Sequence, residues 1–438
     1  LADIRPFQGV HYNPALVKDL ARVICPPYDV IPAQTQQRFY QRSDHNFIRI
    51  EFGRELPQDS INDNRYTRAA AALDDWLKEG ILEIDSEPSL YITDQHFNYQ
   101  GKAFRRRHLN CLVKLEEWNK MIVRPHEGTL NRPKNDRLNL LWAIQANTSP
   151  IMALYEDRDK LISSLINRYA RGRPALHVRH DNGESHEIWG VSDTSVIDQV
   201  RSYLAAQPLY IADGHHRYES ALNYRRERHT GLTAEAAESP FDFVMMSLVD
   251  IDDPGLVILP AHRLVRGIST AAIEELATTL QNYFTVAEIP AERVNNPTRL
   301  EDLVMEGENE VKLLVFGLKK DSALLLTLRD FSRVHPMMPY FHSDLYQKLD
   351  VSIVDHVILE GLLGLTHEKA GVFIDYTNEA LEAIKRVDDH EYQLACIINP
   401  VKPGIIKAIA DCGDRMPRKS TYFFPKIPAG LVFYRFGL

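Results

Sequence analysis

The chain has 438 residues, 44% of them hydrophobic and 25% charged, with a formal net charge of −9 from 60 acidic and 51 basic side chains. The length allows two or three domains, and these are the proportions of a globular chain, not of a disordered one. They also argue against a general nucleic-acid coat protein, which needs a strong positive field, while leaving room for one local basic pocket that binds phosphate.

Up to about residue 60, Pro6, Pro14, Pro26, Pro27, Pro32 and Pro57 predict irregular structure, because proline breaks helices and central strands. Tyr66, Ala69, Ala70, Leu73, Trp76 and Leu77 then recur at helical spacing, with Gly80 as the stop. Strands are predicted over 90–93 and 109–115. Between them Arg105-Arg106-Arg107-His108 reads as a solvated edge or turn, or else as an anion-facing surface. Helices are predicted over 136–146, 161–169 and 196–204, and strands over 151–155, 175–179 and 187–191. A short apolar strand, Leu209 to Ala212, runs into Asp213-Gly214-His215-His216-Arg217, and Tyr218, Ala221 and Leu222 open the helix after it. Residues 243–249 read as a central strand.

The texture changes near residue 270. A helix is predicted over 270–282, then a hairpin of 311–316 with 323–328 across Lys319-Lys320-Asp321. A long helical stretch over 343–363, strands at 372–375 and 394–398, and a proline-rich tail with Tyr422-Phe423-Phe424 complete the chain. The alternation of elements predicts an α/β or α+β core over 1–265 and a smaller α+β domain over 266–438, whose C-terminal arm returns to the cleft. Cys25, Cys111, Cys396 and Cys412 lack paired spacing, so neither a disulfide framework nor a thiolate zinc cluster is expected. Cys25 is expected to be a buried small residue, not a nucleophile. No apolar run reaches membrane-spanning length, and Leu1-Ala2-Asp3-Ile4-Arg5-Pro6 does not read as a signal peptide, so a cytoplasmic location is expected.

The element after the 209–212 strand concentrates chemistry. A helix start presents unpaired N–H groups and a partial positive charge, and so binds phosphate. Gly214 lets a ligand approach the backbone. His215 and His216 add donors or bases near neutral pH, and Arg217 can grip phosphate through two parallel bonds. Asp213 is suited to act as a general base or to hold a metal. Against this stands a plain turn with an N-cap and two packing histidines. Zinc is disfavoured, because no His-Glu-x-x-His is present and adjacent histidines cannot easily share one metal.

Other segments join this element as candidates. Glu127, in His126-Glu127-Gly128, could orient Mg²⁺ or act as a base, and Lys134 and Arg137 could neutralise phosphate, unless the segment is only a loop and helix start. Asn147 reads as a contact to a substrate polar group or as a turn cap. His262-Arg263 reads as a second anion contact, with a structural salt bridge for Arg263 as the alternative. Arg415, Arg418 and Lys419 beside Ser420 and Thr421 could close over phosphate, or the terminal arm could pack through its aromatic residues.

Ala212-Asp213-Gly214-His215-His216-Arg217-Tyr218 resembles the signature of the domain-of-unknown-function 1015 family. The resemblance runs nearly end to end. It takes in Ile4-Arg5-Pro6-Phe7, Pro26-Pro27-Tyr28-Asp29-Val30, His126-Glu127 with Lys134, Asp136 and Arg137, and Ala146-Asn147 with Ser149-Pro150-Ile151. It also takes in Leu259-Pro260 with His262-Arg263, and Met416-Pro417 with Lys419-Ser420-Thr421-Tyr422-Phe423 and Pro425-Lys426. The Asp-Gly-His-His-Arg element is in addition similar to the fingerprint of the ParB/sulfiredoxin-like fold, whose members bind nucleotides there and include free-serine kinases and DNA-partitioning CTPases.

That similarity implies an α+β fold with a mixed-sheet core, and nucleotide phosphates at Gly214 to Arg217. It implies ATP or ADP, or else CTP, together with Mg²⁺. Two departures matter. Asp213 replaces the sulfiredoxin cysteine, which removes sulfinic-acid repair. No helix-turn-helix, P-loop or dinucleotide fingerprint is visible. The expected function is a nucleotide- and Mg-dependent phosphotransferase acting on a small hydroxylated metabolite, with free serine as the specific candidate. The alternatives are a nucleotide-binding regulatory switch of the CTPase kind and a phosphate-ester hydrolase. Catalytic roles fall to Asp213, His215, His216 and Glu127, and metal binding to Glu127 and Asp213. Cofactor contacts fall to Gly214, Arg217, Lys134, Arg137, Asn147, His262, Arg263, Lys419, Ser420 and Thr421. The partner is a small-molecule substrate, with no membrane and no stable nucleic-acid complex, and a homodimer is left open.

Overall fold

Alternation of side chains along β5 (Lys102–Lys114) sets the architecture around the site, because successive residues of a strand point to opposite faces. In the computed structural model, which describes residues 2–230, 238–294, 303, 311–366 and 371–437, the chain divides into two units. One comprises Leu1–Pro125, Thr129–Val257 and Pro425–Leu438, and the other His126–Gly128 and Ile258–Phe424. The first unit therefore includes C-terminal residues that the sequence reading assigned to the second.

In the first unit β5 joins β1 (Ile4–Arg5), β4 (Leu90–Tyr99), β6 (Val123–Arg124), β8 (Ile151–Tyr155), β9 (Leu176–Arg179), β10 (Ser185–Val191), β11 (Leu209–Asp213) and β12 (Phe243–Asp250). The order is β6-β11-β8-β12-β5-β4-β10-β9, with β1 on β5. The sheet is mixed: β8 with β12 and β6 with β11 are parallel, while β5 is antiparallel to β4, β12 and β1. Short pairs flank it, β2 (Val10–Tyr12) with β3 (Leu82–Ile84), and β7 (Ala146–Asn147) with β21 (Tyr434–Arg435).

Leu109, Cys111 and Val113 of β5 face one apolar core together with Ile92, Ile151, Ala153, Ile211 and Met246. Helices α5 (Leu161–Tyr169), α6 (Thr194–Leu204) and α7 (His215–His229) close that core with Ile162, Val200, Leu204 and Leu222. The alternate residues Arg106, His108 and Asn110 lie on the other face. Residues directly opposite on neighbouring strands share a face, so the register places His186, Gln95 and Arg106 in one row. Asn110, Ser247 and Met152 form a second row, which ends at Asp213. Helices α1 (Ala33–Arg42), α2 (Ile48–Glu51), α3 (Arg65–Lys78) and α4 (Asn131–Ile144) contribute to a second apolar cluster that includes Leu112, Met245 and Ile188.

The second unit has a six-stranded antiparallel sheet of β14 (His262–Val265), β15 (Phe284–Pro290), β16 (Lys312–Lys319), β17 (Ser322–Leu328), β18 (Ile374–Thr377) and β19 (Leu394–Ile397). Its order is β15-β17-β16-β19-β14-β18, and β13 (Val257–Leu259) pairs with β20 (Tyr422–Phe424). Helix α8 (Thr270–Thr279) and the wide π-helix Ile353–Leu362 pack against it through Leu276, Val354 and Val357. The chain is thus α+β, with a large mixed sheet and a second, smaller α+β unit.

Several expectations need correction. The proline-rich start is not wholly irregular: α1 begins directly after Pro32, where the missing N–H of proline does no harm. The run 105–108 is neither turn nor solvated edge. The turn lies at Gln100-Gly101, and Arg106, Arg107 and His108 are buried inside β5. Their charge is met locally, since Arg107 forms a bidentate pair with Asp94 across the β4–β5 ladder. The single helix expected over 343–363 is broken into Asp344–Gln347, Asp350–Ser352 and the π-helix. Cys25 is buried, and burial pushes its thiol well up, as expected of a packing residue. Among the described residues no helix is long and apolar enough to cross a membrane.

Candidate functional site

The strand that leads into the motif carries a bulge. Ile211 pairs with Ala153, but Asp213 pairs with Met152, so the register slips by one residue. Strict alternation would point Asp213 to the same face as Ile211, the apolar one. The slip instead turns its carboxylate to the polar face. Gly214 then adopts φ +94°, a left-handed conformation, and caps α7. A Cβ on Gly214 would lie 2.9 Å from Arg217 Nε and 3.0 Å from its Cζ and Nη2. The Arg217 guanidinium therefore folds back over the turn at the helix start.

Arg217 is 9% exposed. Its Nη2 donates to Asp213 Oδ2 at 2.5 Å and its Nη1 donates to the Pro150 carbonyl, while its Nε finds no hydrogen-bond partner among the described residues. Lys426 Nζ donates to Asp213 Oδ1. The backbone beside Lys426 is fixed on both sides: Gln95 Nε2 donates to the Lys426 carbonyl at 3.3 Å, and Arg106 Nη2 donates to the Pro425 carbonyl. Arg106 also donates to Gln95 Oε1 at 2.7 Å. Burial draws the Arg106 pKa down to about 10, against the pull of Asp253, Glu184 and Asp213. Burial pushes the Asp213 carboxyl up, but Lys426 and Arg217 outweigh it and hold the group well below the usual carboxylate range. Two cations, Arg217 and Lys426, thus pair with one carboxylate at a helix N-terminus, while Arg106 feels the charge of Asp213, after that of Asp253 and Glu184, and Arg217 also feels Asp29 and Glu51.

A second layer fixes this arrangement. Glu51 is fully buried and accepts from Thr148 Oγ1, from Ser149 Oγ at 3.1 Å and from the Tyr28 amide at 3.2 Å. Arg137 Nη1 donates to the Glu51 carbonyl at 3.0 Å, and its Nε and Nη2 donate to Asp136 Oδ2 at 2.8 and 2.6 Å. Its guanidinium lies 4.0 Å from the centroid of the Tyr28 ring. Arg137, Asn147, Thr148, Ser149 and Arg217 border a cavity of about 30 Å³, large enough for a water and far too small for a nucleotide.

The expected site residues of this unit therefore separate. Arg137 is tied to Glu51 and Asp136. Asn147 Oδ1 accepts from the Met245 amide at 2.9 Å and stitches β7 to β12. Lys134 Nζ pairs with Glu219 Oε1 at 3.1 Å. His216 Nε2 accepts from the Leu130 amide at 2.9 Å, which makes its ring a brace for the loop before α4. His215 is buried and feels the Asp213 charge.

The remaining candidates lie in the second unit. Glu127 Oε1 accepts from the Lys419 amide at 3.1 Å, and His126 Nε2 lies 3.0 Å from Thr421 Oγ1. Lys419 has φ +57°, left-handed and unusual for a lysine, and its side chain is exposed. Ser420 is buried and donates to the Pro417 carbonyl. Arg263 makes the structural salt bridge offered as its alternative reading: it is fully buried, its Nε and Nη2 meet Asp355 at 2.9 and 3.0 Å, and its Nη1 donates to the Lys419 carbonyl at 3.0 Å. Burial and then Arg263 bring the His262 pKa to about 3, leaving a neutral ring that accepts from the Ile398 amide.

A resident magnesium does not fit at Asp213, because both carboxylate oxygens are held by cationic nitrogens. Among the described residues one group, Asp94, His96 and Glu187, brings three ligating atoms within 4.8 Å of one another. Asp94 is already in its bidentate pair with Arg107.

Comparison with known proteins adds the family. Residues 4–352 match the family described as a protein of unknown function, DUF1015. The chain belongs to that family. No curated protein matches it. Three solved structures align with this DUF1015 chain. A conserved hypothetical protein from Pyrococcus furiosus is 13% identical, with 71% of this chain and 92% of that one covered and a TM-score of 0.33. A free serine kinase in complex with AMP is 12% identical, with 71% and 89% covered and a TM-score of 0.34. A C-terminally truncated SbnI from Staphylococcus aureus is 10% identical, with 73% and 84% covered and a TM-score of 0.32.

Proposed function

We propose that this chain is a nucleotide-dependent phosphotransferase acting on a small hydroxylated metabolite, with free serine as the first candidate and ATP, ADP or CTP as the donor. The observation that carries the reading is the convergence of Arg217 and Lys426 on the Asp213–Gly214 turn at the start of α7, with Arg106 holding the backbone beside Lys426. A helix start backed by fixed cations in a partly desolvated site stabilises phosphoryl oxygens without reorganising during reaction. In this reading the acceptor hydroxyl oxygen attacks the terminal phosphorus. The bond from phosphorus to the bridging oxygen breaks, and its electron pair leaves with the nucleotide. The hydroxyl proton passes to His215, which is buried beside Asp213, while Asp213 is too acidic to take it. Asp213 positions Lys426 and Arg217. Charge neutralisation falls to the side-chain cations, and no step needs a metal held by Asp213.

A second reading, a nucleotide-binding switch, draws support from Asp213 itself, whose two carboxylate oxygens are both engaged, by Arg217 and Lys426. The test is incubation with ATP, ADP or CTP and a pool of hydroxylated metabolites including serine, followed by phosphorus NMR. A new phosphomonoester is expected, and its formation falls roughly 10²- to 10³-fold in Lys426→Met, the effect of losing one preorganised charge donor. Nucleotide binding without product favours the switch. Free phosphate released from a monoester favours a hydrolase.

A further inference from the structure

A cleft in the first unit, outside the motif, is built for a different ligand. It encloses about 220 Å³, room for about seven non-hydrogen atoms at the roughly 30 Å³ a water occupies. Its floor is apolar: Leu176, Ile188 and Val432 are buried, and Gly190 of β10 leaves the wall open, since a Cβ there would make only ordinary contacts at 3.8–4.0 Å. Its rim is acidic and hydroxylated, with Asp85, Glu87, Ser86 and Ser192.

Asp85 is held in place. His11 Nε2 lies 3.1 Å from its Oδ1, and Tyr91 Oη donates to its Oδ2 at 2.5 Å. Tyr91 is in turn fixed by the Gly9 amide, which donates to its hydroxyl at 2.7 Å. The Tyr91 ring and the aliphatic floor can bury a hydrocarbon stem. Two carboxylates against one histidine leave the rim negative, which suits an ammonium group and repels an anion. A ligand that is apolar in the middle and cationic at its end satisfies both halves of the lining.

We infer that this cleft binds a short aliphatic amine of about five to eight non-hydrogen atoms, with the hydrocarbon on Leu176, Ile188 and Val432 and the ammonium at Asp85 and Glu87. The inference is independent of any phosphoryl chemistry at Asp213.

The test uses the full chain and calorimetry or saturation-transfer NMR with diaminopentane, with pentanediol as the uncharged counterpart and glutarate as the anionic one. Diaminopentane binds with a Kd of about 1 mM or tighter, within reach of a ligand this small. Pentanediol binds at least roughly tenfold more weakly, glutarate does not bind, and the affinity falls as salt is added. Gly190→Val fills the cleft from an exposed strand position and abolishes binding while leaving the melting temperature unchanged. Glu87→Gln, at an exposed rim position, weakens binding severalfold. Equal binding of diol and diamine, unaltered binding in Gly190→Val, or no binding of diaminopentane overturns the inference.

Discussion

Gly214→Ala probes the link between backbone and site most directly. At φ +94° an alanine sits in the left-handed region, where an L side chain costs roughly 1–2 kcal/mol. Its Cβ would also stand 2.9–3.0 Å from the Arg217 guanidinium, so that group must move by about half an ångström or more to reach an ordinary contact distance. On an exposed arginine that shift would be easy. Here Nη2 is bound to Asp213 and Nη1 to the Pro150 carbonyl, and the side chain is buried, so the movement weakens a charge-assisted bond worth about 1.5–3 kcal/mol. The combined cost is about 3 kcal/mol, read as a lowered urea midpoint with unchanged slope. In an Arg217→Ala background the steric part disappears and only the backbone strain of roughly 1–2 kcal/mol remains. Equal costs in the two backgrounds, or a single-variant cost below about 0.5 kcal/mol, would show that the guanidinium does not rest on the turn.

Other outcomes follow from the same contacts. Glu51→Gln removes the charge that faces Arg137 and loosens Thr148, Ser149 and Tyr28 together, with an expected loss of about 3 kcal/mol in chemical denaturation. Arg263→Met strands Asp355 and frees the Lys419 carbonyl, so proteolysis should begin near 417–421 before it attacks the rest of the second unit. The depressed pKa of Asp213 contributes stability that is present above the unfolded carboxylate value near 4 and is lost as pH falls toward the folded value. Asp213→Asn should therefore flatten the acid limb of a stability–pH curve. Asp350 has the opposite sign. Burial raises its carboxyl to about 6, so its contribution is full below about pH 4 and lost as pH rises through 6, and Asp350→Asn should help most above that point.

Much of the first unit was legible because its pattern is local. The 3.6-residue period of Tyr66 to Leu77 gave α3, and the apolar run 209–212 followed by Asp-Gly gave the strand, turn and helix of the motif. The basic run 105–108 was misread for a definite reason. Charge in a sequence signals exposure only when no partner can be seen, and its partners Asp94, Gln95 and Pro425 are distant in sequence or come from the next strand. Lys426 was visible within the family-like Pro425-Lys426, yet nothing local said that it meets a carboxylate more than two hundred residues earlier in the chain. Glu51 carried no signal beyond being an acidic residue at the end of a short apolar stretch.

What the sequence determined by itself was the chemistry on offer: a helix start with glycine, histidine and arginine, in a chain of α+β texture. Which partners those groups meet was decided by tertiary structure. A one-residue slip between β11 and β8 turns Asp213 away from the apolar core, and Arg217, one turn further along, and Lys426, from far along the chain, both pair with it, while Arg137 and Arg263 are spent on the carboxylates of Glu51, Asp136 and Asp355. Side-chain direction in a strand reverses with a single residue of register, and a charge is neutralised by whatever the fold brings near it. Neither quantity is encoded in local spacing.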